Sequence, residues 1–237
     1  MKVCDIDSND HENLVNVNLV EIDVDWSHEE YIDDTASLID EYGIDSTWFC
    51  THESAALKNL EKSKNIEIGI HPNFVPLLKG DVSSGKNVDE VIKNLMSIFP
   101  DSKVSKSHSL VDSSNIMQSL VNQGITHECS TLIDAEQMQP LKPWKIWNGI
   151  TKVPLFWEDD YACVSYNSYE FSQLLSPHNG LRMYGFHPLH IFLNTESLER
   201  YERTRPYHSN PKELINHRYQ GVGTRTRFIK LLEYMSN

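Results

Sequence analysis

Short apolar runs alternate with stretches of helical periodicity along the chain, and four of the runs end in residues that can bind a metal or move a proton. VNLVEIDVD, residues 17–25, alternates as a strand does. Ser27 and Glu30 then offer a capping box for a helix carrying Tyr31, Leu38, Ile39 and Tyr42, with Gly43 as its stop. STWFCT reads as a second strand, residues 54–64 as a second helix and IEIGI as a third strand. The loop from His71 to Gly85 carries Pro72, Pro76, Gly80 and a Ser-Ser-Gly turn signal, and a helix over 87–98 follows. KVSKS is the next strand. Asp112 or Ser113 can cap a helix with Ile116, Leu120 and Val121 on one face, ending at Gly124. After the strand ITHECS, residues 134–160 read as a long loop around one or two short strands, because Pro140, Pro143 and Pro154 interrupt any longer element. A helix over 168–175, the strand LRMYGF, a polar and basic loop and a helix over 225–235 complete the order.

Strands that alternate with helices predict a parallel α/β sheet rather than a sandwich. A length of 237 residues suits one α/β barrel or one large doubly wound domain. We expect a single domain over 1–237, with 1–13 as a flexible polar lead-in. In a TIM-like barrel the C-terminal ends of the strands share one rim. The four runs would bring Asp23 with Asp25, His71, His108 and His187 to that rim, the layout of a metal-dependent hydrolase.

Charge narrows the partners. With 21 Lys+Arg against 34 Asp+Glu, the net charge of −13 disfavours nucleic acid or an anionic membrane surface. No run of roughly 18 apolar residues could span a bilayer, and the polar start lacks the apolar stretch of a secretory signal, so a cytoplasmic protein is expected. Cys4, Cys50, Cys129 and Cys163 are scattered without a CxxC pair and read as reduced thiols. Bases concentrate after Arg200, whereas residues 1–53 hold only Lys2. Such a tail forms solvated faces, docks on the acidic first half, or forms a site for the diphosphate of an activated sugar.

Asp23 and Asp25 are two apart on a predicted strand and so point to one face, roughly 7 Å apart along the chain. One can ligate a divalent ion while the other accepts a proton from water. Glu21 shares that face, deeper in the barrel. An edge strand showing its acids to water is the plainer explanation, but the run is rich in Val, Ile and Leu. His71, held before Pro72, offers a neutral imidazole as ligand. His108 and His187 are strand-end candidates of the same kind, each also readable as a satisfied surface residue. His178, His190, His208 and His217 lack that context and read as structural or exposed.

Taken together, EIDVDW, STWFCTHES, IEIGIH, SHSLVDSSNIMQSLVNQGI, PLFWEDD and YGFHPLHIFLN resemble, in order, the motifs of the polysaccharide deacetylase (NodB-homology) family, most closely its WbmS-like branch. The resemblance runs from about residue 15 to 195. It implies a distorted barrel of about seven strands, with Asp23 as catalytic base, Asp25 and His71 as metal ligands and His187 as general acid. The family's second motif normally supplies a histidine four residues after the first, where this chain has Val75. His108 is the candidate third ligand, with Asn73 as the weaker choice for a ligand and as a substrate contact. The third motif's arginine, which orients the base, is also missing, with Lys106 nearby as a substitute. Trp157, Glu158, Asp159 and Asp160 are expected to wall a sugar site.

The implied function is removal of an N-acyl group from a sugar or sugar conjugate, a carbohydrate or sugar nucleotide, in surface-polysaccharide synthesis, with a divalent ion as cofactor. Mixed nitrogen and oxygen ligands suit zinc and leave iron, manganese and cobalt open. Two rivals are a sugar- or partner-binding barrel that has lost coordination through Val75, and a cyclic amide or imide hydrolase on the same fold.

Overall fold

The computed structural model describes residues 1–9, 14–137, 139–165 and 170–237. Among these, nine strands form one sheet: β1 (Val17–Asp23), β2 (Ser46–Cys50), β3 (Ile66–Ile70), β4 (Val104–Ser105), β5 (His127–Glu128), β6 (Trp144–Lys145), β7 (Thr151–Lys152), β8 (Trp157–Glu158) and β9 (Leu181–Phe186). Their order is β6-β7-β5-β4-β3-β2-β1-β9-β8, and each pairing is parallel except β6 with β7. One run of chain, 151–158, supplies both β7 and β8. It lies beside β5 at its start, where Thr151 faces His127 and Leu155 bridges Leu132, and beside β9 at its end, where Trp157 faces Tyr184. The two margins are thereby joined. β1, β2, β3, β4, β5, the 151–158 run and β9 curl into a distorted barrel of seven staves.

The helix Glu29–Tyr42 buries Ile32, Thr35 and Ile39 on one face and ends at Gly43, whose φ of 65° is the left-handed stop that glycine adopts without strain. Its start differs from the expected capping box. His28 is the cap, its ring accepting from Glu30 N at 3.2 Å, because Ser27 N is drawn back to Val24 O at 2.9 Å in a turn that follows β1. The Ser113 hydroxyl caps the helix Ser114–Asn122, accepting from Ile116 N at 3.2 Å.

Three expectations need correction. Residues 1–9 are not a loose lead-in: Val3 and Ile6 are buried, Val3 N donates to Thr47 Oγ1 at 3.1 Å, and the His127 ring meets Ile6 O at 3.0 Å. The rest of that segment, 10–13, lies outside the described residues. The polar stretch after His187 holds helices Pro188–Leu193, Leu198–Thr204 and Pro211–Leu214, each too short to show a 3.6-residue period although Pro188 and Ser197 mark two of the starts. Of the helix expected over 168–175, residues 168–169 lie outside the described residues, and Phe171–Leu174 forms a 3₁₀ turn.

The basic C-terminal part docks on the acidic first half. Arg225 pairs with Asp34 on the first long helix, and Arg218 lies 4.0 Å from the same carboxylate. Arg200 and Arg205 pair locally with Glu196 and Glu202. These guanidiniums are therefore divided among carboxylates rather than gathered for a diphosphate. No helix among the described residues is long and apolar enough to cross a membrane.

Candidate metal and proton-transfer centre

The parallel ladder continues past the strand ends and sets the candidate residues side by side. His71 N donates to Cys50 O at 2.9 Å, Lys106 N to Ile70 O at 3.1 Å and His108 N to Pro72 O at 3.0 Å. Asp23 closes β1, and His187 follows β9 directly. All five sequence candidates, Asp23, Asp25, His71, His108 and His187, line one cavity of about 60 Å³ together with Lys106, Glu158 and Asp160.

Asp25 reaches this cavity by a route that strand alternation did not anticipate. β1 stops at Asp23, and Asp25 and Trp26 turn into the left-handed region with φ of 43° and 54°. Each such non-glycine residue costs about 1–2 kcal/mol. Trp26 N, bonded to Thr51 Oγ1 at 3.0 Å, helps hold the turn. On the facing rim Ser109 and Leu110 form a second left-handed pair, φ 58° and 54°, just after His108. The outcome is that Asp25 Oδ1 lies 2.9 Å from His108 Nδ1 and 3.2 Å from His71 Nε2.

One carboxylate and two imidazoles thus converge, with ligand atoms within 4.8 Å of one another. That donor set fits a divalent cation taking mixed nitrogen and oxygen ligands. His108 is the third member of this group, whereas Val75 offers no ligand atom. Val75 itself opens a short helix, and its N–H is taken by Asn73 Oδ1 at 3.0 Å. Burial pushes the Asp25 carboxyl up, but bonds from His108 and His71 outweigh it and hold the group far below the usual carboxylate range. The same bond to Asp25 raises His108 against the effect of burial.

Below the triad sits a buried charge cluster. Lys106 Nζ, wholly inside the barrel, lies 2.7 Å from Glu21 Oε1, 2.6 Å from Asp23 Oδ2 and 2.6 Å from Glu158 Oε1. Gly185 makes room for it: a Cβ there would lie 2.2 Å from Glu21 Oε1. Burial drives Glu21 well up, with Asp23 adding to the effect. Burial likewise lifts Glu158 to about 7 against the pull of Lys106. Asp23 goes the other way: burial opposes its charge, but His71, Lys106 and His187 prevail and lower it. Glu158 is therefore a partner of Lys106 and only secondarily a wall of the cavity.

His187 is fixed by Asp159. Asp159 Oδ1 lies 2.6 Å from His187 Nδ1 and Oδ2 accepts from His187 N at 2.9 Å, which turns Nε2 toward Asp23 and Asp25, 3.7 Å from an oxygen of each. Burial disfavours the imidazolium, yet Asp159 outweighs it and holds His187 well above its ordinary value. Asp159, expected as a sugar contact, is fully buried and serves His187 instead. Its place in the WEDD run straight after a short strand was the available signal.

Trp157 also departs from expectation. It is buried and packs on Phe171 and Phe186, with ring centroids 4.8 and 5.1 Å away, so it offers no face to a sugar. Asn73 is half-buried beside a neighbouring cleft that His71 also lines. Two further groupings with ligand potential, Asp159–His187–His190 and Asp23–Glu158–His187, draw on carboxylates already engaged by His187 and Lys106. His190, expected to be structural, is buried and stacks on Tyr201 at 5.0 Å.

Comparison with known proteins agrees with this geometry. The WbmS-like polysaccharide deacetylase family matches residues 20–205. The solved structure of WbmS from Bordetella bronchiseptica, described as a polysaccharide deacetylase involved in O-antigen biosynthesis, is 33% identical with a TM-score of 0.89, over 98% of this chain and 96% of that one. A polysaccharide deacetylase structure from Mycobacterium smegmatis shares the fold at 11% identity and a TM-score of 0.52, over 92% of this chain and 90% of that one. No curated protein matches the chain. From these similarities, the chain belongs to the WbmS-like family of polysaccharide deacetylases.

Proposed function

We propose that this protein is a divalent-metal-dependent deacetylase that removes an N-acyl group from a sugar conjugate in cytoplasmic steps of surface-polysaccharide synthesis. The observation that carries the reading is the convergence of Asp25, His71 and His108 beside Asp23 and His187. Likeness to a Bordetella protein of O-antigen biosynthesis supports the substrate class. Zinc is the favoured ion for two imidazoles and a carboxylate.

When bound, such an ion supplies Lewis-acid polarisation of a carbonyl and acidifies water. The chain's own residues do the rest. Asp23 stays ionised because Lys106 holds Oδ2 and His71 Nδ1 lies 3.5 Å from Oδ1, and this carboxylate takes a proton from the attacking water. His187 keeps Nδ1–H on Asp159 and delivers the proton on Nε2 to the leaving nitrogen. A depressed carboxyl and an elevated imidazole divide base and acid between two groups. The scaffold alternative rests on Val75; His108 at 2.9 Å from Asp25 is the observation that favours the enzyme over it.

Acetate release from N-acetylated sugar nucleotides and oligosaccharides by the zinc-reconstituted protein tests the reading. Release that disappears in Asp23→Asn and His187→Gln is expected. Ring opening of small imides without acetate release, or no hydrolysis of either class, contradicts it.

A further inference from the structure

Trp26 is a large aromatic residue that is 52% exposed and sits in the left-handed region, next to a ligand candidate in the same region. An outlier of this kind persists only where its surroundings hold it, and it points to a use at that place. Packing supplies little of that use. The ring makes an edge contact with His108, centroids 5.3 Å apart, and Trp26 lines a cleft of about 290 Å³ that His71 also lines.

The lining of this cleft is mixed, with Val91, Leu95 and Ile98 supplying apolar surface beside polar groups. His71 reaches it from the metal triad, and Asn73, Ser83, Ser84 and Asn94 supply hydroxyl and amide groups. Asn73 is oriented by its bond to Val75 N, and Asn94 Nδ2 donates to Ser84 O at 3.2 Å. An aromatic face flanked by short polar side chains matches a pyranose, whose C–H face is apolar and whose rim is hydroxylated. A second cleft of about 510 Å³, lined by Asp25 and His108 of the triad, runs past His187, Tyr161 and Leu198. The small central cavity shares His71 with the first cleft and Asp25, His108 and His187 with the second.

We propose that Trp26 is a stacking platform for a sugar ring adjoining the N-acylated residue, so that this neighbouring ring occupies the Trp26 cleft. This deepens the deacetylase reading and rests on it for the identity of the N-acyl group. Trp26 is a substrate-binding residue in this assignment, and it moves no proton.

The test is retention of the zinc-loaded protein on an array of N-acetylated bacterial glycans, comparing wild type with Trp26→Leu and Trp26→Phe. Leucine keeps apolar bulk without a ring face, and melting temperatures of both variants are measured alongside. The expected result is oligosaccharide binding by wild type that weakens about tenfold in Trp26→Leu and is largely kept in Trp26→Phe, at unchanged melting temperature. Equal binding by Trp26→Leu, equal loss in both variants, preference for monosaccharides, or no glycan retained by wild type each overturns the proposal. Acetate release is followed on the retained glycans. Trp26-dependent binding without acetate release would sink the deacetylase reading and leave the platform standing.

Discussion

Lys106 Nζ lies 2.6 Å from Asp23 Oδ2 at the base of the barrel mouth, and the same ammonium also holds Glu21 and Glu158. One buried cation thus neutralises part of a three-carboxylate cluster and aims the proposed base.

Replacing Lys106 by Met leaves three buried carboxylates without their counter-charge. Removing one partner of a buried ion pair costs about 3–5 kcal/mol. Glu21 and Glu158 then take up protons on folding, since burial raises their pKa above the unfolded value. The folded state binds more protons than the unfolded, so stability falls as pH rises. Urea unfolding of Lys106→Met should give a marked loss at neutral pH that shrinks toward pH 5. A variant as stable as wild type at pH 7 would show that the cluster is not held by Lys106.

Asp159 sets the protonation of His187. Its carboxylate holds the imidazole well above its ordinary pKa, so the acid form persists below that raised value and is lost as pH rises through it. Asp159→Asn removes the charge while keeping a hydrogen-bonding side chain. The alkaline limb of kcat/KM should move to lower pH, with the acidic limb little changed. An unmoved alkaline limb would separate His187 from the proton-transfer step.

Much of this centre was legible in the chain because strand ends are readable: an apolar run, then Asp, His or Pro. Asp23, His71 and His187 follow directly from that pattern. Asp25 and His108 were expected on one rim and line one cavity, but the left-handed turns that bring them together were not visible, because Asp-Trp and Ser-Leu carry no glycine signal. The seven-stave barrel was expected, whereas its closure through one run that pairs on both sides was not. Two-residue strands such as β4, β5, β7 and β8 are fixed by their neighbours rather than by local alternation. Asp159 and Trp157 were misplaced for a related reason. A short strand followed at once by a helix leaves no periodicity from which to tell inward from outward.

Trp157 should behave as core. It is 4% exposed between Phe171 and Phe186, and Trp157→Ala is expected to cost about 3–5 kcal/mol. Trp157→Phe, which keeps most of the ring packing, should lose less and leave KM unchanged. Denaturant midpoints and steady-state kinetics on the two variants check this. A raised KM at wild-type stability would return Trp157 to the substrate wall.

The central claim is that Asp25, His71 and His108 share one cation, and anomalous diffraction from crystals of the zinc-loaded protein tests it most directly. The account predicts one strong peak per chain, about 2.0–2.2 Å from His71 Nε2, from His108 Nδ1 and from an Asp25 oxygen. A peak at another group of residues, or one bonded to Asp25 and His71 with His108 beyond reach, would contradict it.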